Sequence, residues 1–417
     1  MSNFHDPLKH VRFLQHALSQ DKKPMGIFLA AGCPLSVKVP TSNTPLIPDV
    51  AGLTKYVNGA LSSAKATAKN DYDKFLAELS KANKSDKNIE EILSFIRALK
   101  DVSSGGDVRG FSESVLADLE KKICSEIVKK LDVSLPNTET PYHKLGSWIS
   151  IDRAKPIEIF TTNYDLLIEQ AFEELSIPYF DGFVGSRQSF FDLRAIEDDL
   201  MPKHWTRFWK IHGSINWFQN KKKEIFRSSK TEEIDSAHLI YPSHLKYEQS
   251  RKMPYLALLD QLSRFLRQPS SLLIIAGYSF NDYHLNDTIL NALRSNPNTM
   301  VIALLWGTFT YSPEKTTEIK LRYPNAMQLA SQRPNLALWS LDEAVIGTTR
   351  GFWRIPKEYD PDENPGNCIN VIEEPIKDAS GKETGEKLKK YELKLGDFAV
   401  FGDFLQALIG NTGSSPI

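Results

Sequence analysis

Length, composition and charge narrow the classes of protein to which this chain can belong. It has 417 residues, of which 41% are hydrophobic and 25% charged, a globular composition with room for one large domain or two linked ones. Its 51 basic and 52 acidic side chains give a net charge of -1, so no global field favours nucleic acid or an anionic membrane. Three scattered cysteines are too few for a disulfide framework. Because no segment resembles a secretion signal or a membrane span, we expect a cytoplasmic protein that binds no membrane and makes no direct contact with nucleic acid.

Five short apolar runs predict buried strands. They occupy residues 25–31, 157–161, 272–276, 300–306 and 336–341. Most of them precede a segment with helical periodicity, and strands that alternate with helices form a parallel sheet covered on both faces. The sequence therefore predicts an α/β protein with a Rossmann-like, doubly wound parallel sheet. In such folds ligands bind beyond the carboxyl ends of the strands.

The turn after the first strand is the first candidate site. Ala31, Gly32 and Cys33 lie there, and a glycine would let the backbone approach a pyrophosphate near a helix N-terminus. The turn lacks the G-x-G-x-x-G fingerprint, and a tight turn with no ligand is the more frequent meaning of such residues. The chain also has no Walker-type phosphate loop, which excludes an ATP motor.

Residues 55–131 show a clear 3.6-residue periodicity and few β-branched runs, which predicts a helical insertion. One helix is expected behind Asn88 as N-cap, with Glu91 three residues later. A second apolar stripe follows a Ser-Ser-Gly-Gly loop and comprises Leu116, Leu119, Ile123, Ile127 and Leu131.

Three further strand ends carry polar residues. After the strand at 157–161, Thr162 and Asp165 have capping-box spacing, which leaves only Asn163 without a structural explanation. His212 ends a short strand and precedes a glycine, and an imidazole suits a general base near neutral pH, although a lone histidine is more often structural. The strand at 272–276 leads into Gly277 and then into another capping-box pair. That pair, Ser279 and Asp282, could also hold phosphate and ribose groups at a helix N-terminus.

The C-terminal part of the chain departs from this pattern. Residues 359–385 are rich in Pro, Gly, Asp, Glu and Lys and predict an exposed hairpin or linker. The tail that follows carries an apolar stripe of Phe401, Phe404, Leu405 and Leu408. Such a stripe must be covered, so we expect it either to pack on its own domain or to form the contact of a homo-oligomer.

Taken in this order, the segments resemble the sirtuin family, and its bacterial anti-phage defence branch more closely than the protein deacylases. Sirtuins show a small-residue glycine loop, Pro-Asp, Thr-x-Asn-x-Asp, His-Gly and Gly-x-Ser in succession. This chain has Ala31-Gly32, Pro48-Asp49, Thr161-Thr162-Asn163-Tyr164-Asp165, His212-Gly213 and Gly277-Tyr278-Ser279. It departs from the pattern where Ala30 replaces the first loop glycine and Pro34 the usual serine. We divide the chain into 1–54 and 151–350 as two parts of a sirtuin-like Rossmann domain, 55–150 as the helical insertion and 351–417 as a C-terminal extension.

The resemblance implies that NAD is the substrate and that its cleavage gives nicotinamide and ADP-ribose. Asn163 would hold the ribose hydroxyls and a water, and His212 would accept a proton. The resemblance implies that the remaining contacts to NAD are made by Ala31, Gly32, Cys33, Asp49, Thr162, Asp165, Gly277, Ser279 and Asp282. No zinc is expected, because the deacylase zinc ribbon requires two Cys-x-x-Cys pairs and the sequence has none.

The size of the chain and its tail are similar to the sirtuin-like subunit of two-component defence systems. In those systems the second component is a HerA-type hexameric ATPase, so the resemblance implies this partner and a large assembly. Two alternatives remain open: an NAD-dependent protein deacylase and a nucleotide-sensing scaffold for an ATPase. A nuclease has no support, because the sequence shows no clustered carboxylates with metal-ligand spacing.

Overall fold

A ten-stranded sheet organises the computed structural model of the chain. The structure describes residues 3–62, 70–229, 237–240, 254–313, 318–356, 360, 364–377 and 383–409. The strands of the sheet lie in the order β1-β17-β16-β15-β12-β11-β2-β3-β7-β4. They are β1 (Phe4–His5), β2 (Met25–Leu29), β3 (Glu158–Thr161), β4 (Tyr179–Phe180), β7 (Thr206–Lys210), β11 (Leu272–Ala276), β12 (Met300–Leu304), β15 (Leu336–Trp339), β16 (Glu343–Ile346) and β17 (Thr349–Trp353).

The strands from β15 to β4 in this order are parallel, whereas β16 pairs antiparallel with both of its neighbours. All five predicted strands lie side by side in the middle of the sheet, which confirms the predicted fold class. A second, five-stranded antiparallel sheet has the order β10-β8-β9-β6-β5. Its strands are β5 (Phe183–Val184), β6 (Ser189–Phe191), β8 (Gly213–Gln219), β9 (Ile225–Arg227) and β10 (Ala237–Ile240). Two hairpins complete the strands: β13 (Thr310–Tyr311) with β14 (Lys320–Leu321), and β18 (Ile369–Lys377) with β19 (Glu383–Leu393).

Helices cover both faces of the large sheet, as the doubly wound prediction requires. Along β2, Ile27 belongs to one buried apolar cluster and Phe28 to a second, and Ile274 and Ile275 of β11 divide in the same way. Successive side chains of a strand point to opposite faces, so these two clusters are the two layers of the core. The helices are α1 (Pro7–Leu18), α2 (Val50–Leu61), α3 (Asp71–Lys81), α4 (Ile89–Val102), α5 (Glu113–Leu131), α6 (Pro141–Ile149), α7 (Leu167–Glu174), α8 (Leu193–Glu197), α9 (Tyr255–Leu266), α10 (Tyr283–Ser295), α11 (Pro324–Gln332) and α12 (Phe398–Ile409). Among the described residues, no helix has both the length and the apolar character needed to cross a bilayer.

Helices α2 to α6 lie between β2 and β3, in the region where the sequence predicts an insertion. Helix α4 begins behind Asn88, whose side chain accepts a hydrogen bond from the backbone N–H of Glu90, as predicted for the N-cap. Helices α4 and α5 pack together through their apolar stripes and through an ion pair. In this pair Arg97 Nε lies 2.5 Å from Glu120 Oε1, and the Arg97 side chain is buried. Helix α2 begins at Val50, before the predicted start of the insertion at residue 55.

Both predicted capping boxes at the strand ends are wrong. Helix α7 begins only at Leu167, and Asp165 Oδ1 accepts from the N–H of Leu167 at 3.2 Å instead of closing a box with Thr162. Helix α10 begins at Tyr283 with Asp282 as its N-cap. Ser279 is exposed and lies before the cap, so it takes no part in it.

The apolar C-terminal stripe is covered by its own chain. Helix α12 packs on α6, where the Phe398 and Tyr142 rings lie 5.1 Å apart and Lys144 pairs with Asp403. The side chains of Phe401, Phe404 and Leu405 are fully buried. Of the two predicted alternatives, the structure shows the first, because the stripe packs on its own chain. The surface that covers it is a helix of the predicted insertion. The predicted exposed segment 359–385 includes β18 and the start of β19, while its residues 359, 361–363 and 378–382 lie outside the described residues.

Candidate functional site

Four loops meet at the carboxyl edge of the large sheet. Strands β11, β2, β3 and β7 are neighbours, and Leu29 pairs with both Ala276 and Thr161, while Thr161 also pairs with Lys210. Each strand ends at this row, so the loops that follow start side by side. These are the loops that carry the Gly32, Asn163, His212 and Gly277 segments.

Asn163 is held by the loop that follows β2. Its backbone N–H donates to Thr161 Oγ1 at 3.0 Å, and its side-chain Nδ2 donates to the carbonyl oxygen of Ala30 at 3.3 Å. The side chain is half-buried. These two contacts hold Asn163 between the loops that follow β2 and β3.

His212 is oriented by the N-terminus of α10. The residue is 3% exposed, and its Nε2 lies 3.1 Å from Asp282 Oδ2. The other oxygen of Asp282 accepts from the backbone N–H groups of His284 and Leu285 at 3.1 and 3.3 Å. A neutral imidazole that donates from Nε2 to this carboxylate has its lone pair on Nδ1, which makes Nδ1 the basic nitrogen.

The two glycine loops cross each other at van der Waals distance. Gly32 N–H donates to the Gly277 carbonyl at 3.0 Å, and a Cβ on Gly32 would lie 2.7 Å from Gly277 Cα. Gly277 has φ +69°, and a Cβ there would lie 2.6 Å from the backbone nitrogen of Cys33. Both positions therefore require glycine for the crossing itself.

The other predicted contacts are more dispersed. Cys33 is buried, its thiol donates to the Ala276 carbonyl at 3.3 Å, and burial raises the pKa of the thiol far above its usual range. Asp49 is exposed and caps α2 by accepting from Gly52 N–H at 2.7 Å. Thr162 and Ala31 are half-buried, and Thr162 N–H donates to the Leu29 carbonyl. Within the described residues no hydrogen bond joins Asp49 or Ser279 to Asn163 or His212.

Residues 157–329 match the family model of the SIR2-like domain. This SIR2-like segment contains Asn163, His212, Gly277 and Asp282 but neither Gly32 nor Asp49. No curated protein matches the chain in sequence.

Several solved Sir2 structures are similar to the chain at low identity. One comes from work on the "Structural Basis for the Mechanism and Regulation of Sir2 Enzymes". It has a TM-score of 0.32 and 13% identity, covering 72% of this chain and 86% of that chain. A mutant Sir2 homologue in complex with ADP-ribose has a TM-score of 0.33 and 12% identity, covering 70% of this chain and 83% of that chain. A Sir2 homologue in complex with NAD has a TM-score of 0.30 and 12% identity, covering 72% of this chain and 84% of that chain.

A buried charge pair inside the SIR2-like segment was not predicted from the sequence. Lys210 is 1% exposed, and its Nζ donates to the Asp165 carbonyl oxygen and to Glu169 Oε1, the latter at 2.7 Å. Burial raises the pKa of the Glu169 carboxyl to about 7, against the opposing effect of the Lys210 ammonium. Burial also raises the pKa of Asp165, with Lys210 acting in the opposite direction. The signal for this pair was a lysine inside the apolar strand that leads to His212.

A cavity of about 380 Å³ lies at the opposite, amino-terminal edge of the sheet. It is lined by Glu158, Arg207, Trp209 and Gln268 among others, and it contains none of the predicted site residues. We place the candidate site at the carboxyl edge, because the asparagine, the histidine and its carboxylate partner converge there. Among the described residues, no group of three or more His, Cys, Asp or Glu side chains is arranged to hold a metal ion.

Proposed function

We propose that this chain is an NAD⁺ hydrolase that cleaves the bond between nicotinamide and ribose to give nicotinamide and ADP-ribose. The observation that carries the proposal is the placement of the Asn163 amide and the Asp282-bound His212 imidazole after two neighbouring strands of the SIR2-like segment. The motif order that resembles sirtuins supplies NAD as the substrate class.

Nicotinamide is a cationic leaving group on an anomeric carbon, so its departure gives an oxocarbenium-like transition state. One N–H of Asn163 Nδ2 donates to Ala30, and in the proposed mechanism Oδ1 accepts from a ribose hydroxyl or from the attacking water. Holding that water in line is worth a large share of the barrier. His212 accepts the proton at Nδ1, and the Asp282 carboxylate stabilises the imidazolium that forms.

The roles of the other residues follow from their surroundings. The Cys33 side chain is buried, and the backbone N–H groups of Gly32 and Cys33 donate to the carbonyl oxygens of Gly277 and Ala30. This loop would therefore contact a ligand through its other backbone atoms, those of Ala31 among them. The exposed Ser279 hydroxyl, next to Gly277, is the side chain suited to a pyrophosphate or distal ribose contact. His212 is 3% exposed, so the proposed reaction requires a movement that uncovers its imidazole when NAD binds.

The decisive experiment incubates the purified full-length chain with NAD and quantifies nicotinamide and ADP-ribose. We expect the wild type to release both products and Asn163→Ala to release neither. The variant should stay folded with only a small fall in melting temperature, because the residue is half-buried at a loop and its side chain makes one hydrogen bond, to Ala30. If the variant cleaves NAD at the wild-type rate, the assignment of the site is wrong.

The same assay separates the alternatives. A protein deacylase would release nicotinamide only with an acylated lysine peptide and would form an acylated ADP-ribose. A nucleotide-sensing scaffold would bind NAD without any turnover. Nicotinamide release with NAD alone, in equal amount to ADP-ribose, supports hydrolysis over both.

We further propose that NAD depletion by this chain serves anti-phage defence and that the chain acts as a homo-oligomer with a HerA-type ATPase. The support is the resemblance to the two-component defence systems and the danger that an unregulated NAD hydrolase poses to its own cell. The test is NAD turnover with and without the co-purified ATPase. An identical rate in both cases contradicts control by the partner.

A further inference from the structure

The insertion helix α4 contacts the loop that follows β3, at the one residue between Asn163 and Asp165. This residue is Tyr164, and its hydroxyl donates to Glu90 Oε1 of α4 at 3.3 Å. On the other side, the Tyr164 ring lies 6.5 Å from the His212 ring, with an interplanar angle of 32°. Tyr164 therefore stands between a carboxylate of the insertion and the imidazole of the candidate site.

A second contact of α4 reaches the strand beside His212. Arg97 Nη1 donates to the Ile240 carbonyl at 2.8 Å, and Ile240 pairs with Gly213, the residue that follows His212. The same guanidinium is bound through Nε to Glu120 of α5. A buried arginine held at two of its nitrogens by different elements has little freedom to move.

These two contacts come from one face of α4. Glu90 and Arg97 are separated by about two helical turns, so their side chains project from the same side. Tyr164 is itself tied to β8, since its carbonyl accepts from Ile215 N–H at 3.0 Å and from the Ser214 hydroxyl at 3.3 Å. Helix α4 thus contacts the loop after β3 through Tyr164 and strand β10 through Ile240. Strand β10 pairs with β8 at Gly213, directly after His212.

We infer that Glu90 and Tyr164 are positioning residues for NAD cleavage, through which the insertion fixes the orientation of the His212 imidazole. This inference rests on the proposed NAD hydrolysis. Without Glu90, the Tyr164 hydroxyl loses this hydrogen bond, and the ring that neighbours the imidazole is held less rigidly. A misplacement of about 1 Å near a reacting group is sufficient for large losses in rate.

The first test compares four variants of the full-length chain. Glu90→Ala and Tyr164→Phe are expected to lower kcat roughly tenfold with KM changed less than about twofold, because NAD contacts are intact and only the base is displaced. Glu90→Gln keeps a carbonyl oxygen for the Tyr164 hydroxyl and should restore most of the rate. Glu91→Ala, one position along the same helix, is the matched control and should turn over like the wild type.

The second test shows whether the effect passes through His212. The double variant Glu90→Ala/Tyr164→Phe should be no slower than either single variant, because each change removes the same Tyr164–Glu90 hydrogen bond. In a His212→Ala background, measured under single-turnover conditions with enzyme in excess, Glu90→Ala should produce no further loss. A merely structural contact would lower the residual rate in that background as well.

The outcomes separate this inference from the proposed function. A wild type that releases no nicotinamide overturns both. A wild type that cleaves NAD while Glu90→Ala matches Glu91→Ala, or while Glu90→Ala slows the His212→Ala protein further, overturns the positioning role and leaves NAD hydrolysis standing.

Discussion

Asp282 binds His212 through one carboxylate oxygen and caps α10 through the other. From the sequence, Asp282 was predicted to cap a helix or to bind ribose, and neither role involves His212. Because its two oxygens have different partners, substitutions can separate the stabilising contribution from the orientation of the imidazole. A capping residue is worth about 1 kcal/mol, whereas a wrongly oriented general base affects only the rate.

Asp282→Asn should therefore lower kcat almost as far as His212→Ala, which we expect to be roughly 10²- to 10⁴-fold below the wild type. Asparagine retains an oxygen for the helix cap but presents an N–H₂ group to Nε2, which forces the imidazole proton onto Nδ1. Steady-state kinetics and thermal melting should be measured together. A variant with the wild-type rate, or one that loses NAD affinity but keeps its rate at saturation, contradicts the general-base assignment.

Glu158 allows a prediction of pH dependence away from the candidate site. Burial raises the pKa of its carboxyl from 4.5 to about 7, although Trp209 Nε1 and Gln268 Nε2 donate to it at 3.1 and 3.2 Å. Because the folded state holds the proton more tightly than the unfolded state, the stabilising contribution is complete below the unfolded pKa. It is lost as pH rises through about 7.

Glu158→Gln should consequently lose less stability than the wild type when pH rises from about 5 to 8, by an amount on the order of 1–3 kcal/mol. The measurement is the free energy of unfolding from urea titrations at both pH values. Glu197→Gln, at an exposed position near the same cavity, serves as the control. Parallel pH profiles for the wild type and Glu158→Gln contradict the raised pKa.

At the scale of secondary structure, the contact between Gly32 and Gly277 holds together the loops that follow β2 and β11. Gly277→Ala should destabilise the protein by more than about 2 kcal/mol, because alanine is strained at φ +69° and its Cβ would meet a backbone nitrogen. Gly59→Ala in α2 has nothing within 4 Å of the new Cβ and should stabilise by up to about 1 kcal/mol. Chemical denaturation of the two variants checks both signs, and equal effects would refute the steric argument.

The strands were predictable because burial on both faces leaves a continuous apolar run. The observed bounds of β11 match the prediction for 272–276, whereas 25–31 and 300–306 were predicted two residues too long, since apolar residues continue into the loops. The start of α7 was missed because Asp165 turns its side chain to Leu167 two residues ahead. The sequence predicted Asn163 and His212 each at the end of a strand, but the pairing of those strands and the Asp282 contact join distant segments that no local pattern connects.

At the scale of the whole molecule, the C-terminal stripe shows what periodicity leaves open. The pattern of Phe401, Phe404 and Leu405 indicates that a partner surface exists, and in the structure that surface is α6. An apolar stripe in the sequence does not show which apolar surface it packs against. Helix α6 also has an apolar side, which includes the buried Tyr142 and Trp148, and no local pattern links it to the C-terminal stripe. A chain truncated near Pro356 would lose α12, uncover α6 and be destabilised. Loss of assembly in such a variant would therefore not show that the tail forms the subunit contact.

The β18–β19 hairpin is the better place to test the proposed homo-oligomer. Its base is anchored, since Leu393 N–H donates to the Leu341 carbonyl at 2.8 Å and Ile369 is buried. Farther out, among the described residues, its strands pair only with each other, and Leu388 is 58% exposed.

A lone two-stranded ribbon is marginally stable in water, which favours a second subunit beside it. Replacing residues 372–390 by Asn-Gly joins Val371 to Tyr391, which are paired across the ladder, through a turn that hairpins favour. Tyr391, which packs against the core, is kept. Light scattering should show the full chain as an oligomer and the shortened chain as a smaller species with α12 still in place and an unchanged melting temperature. A monomeric full-length chain contradicts the oligomer, and an oligomer that survives the replacement shows that the contact lies elsewhere.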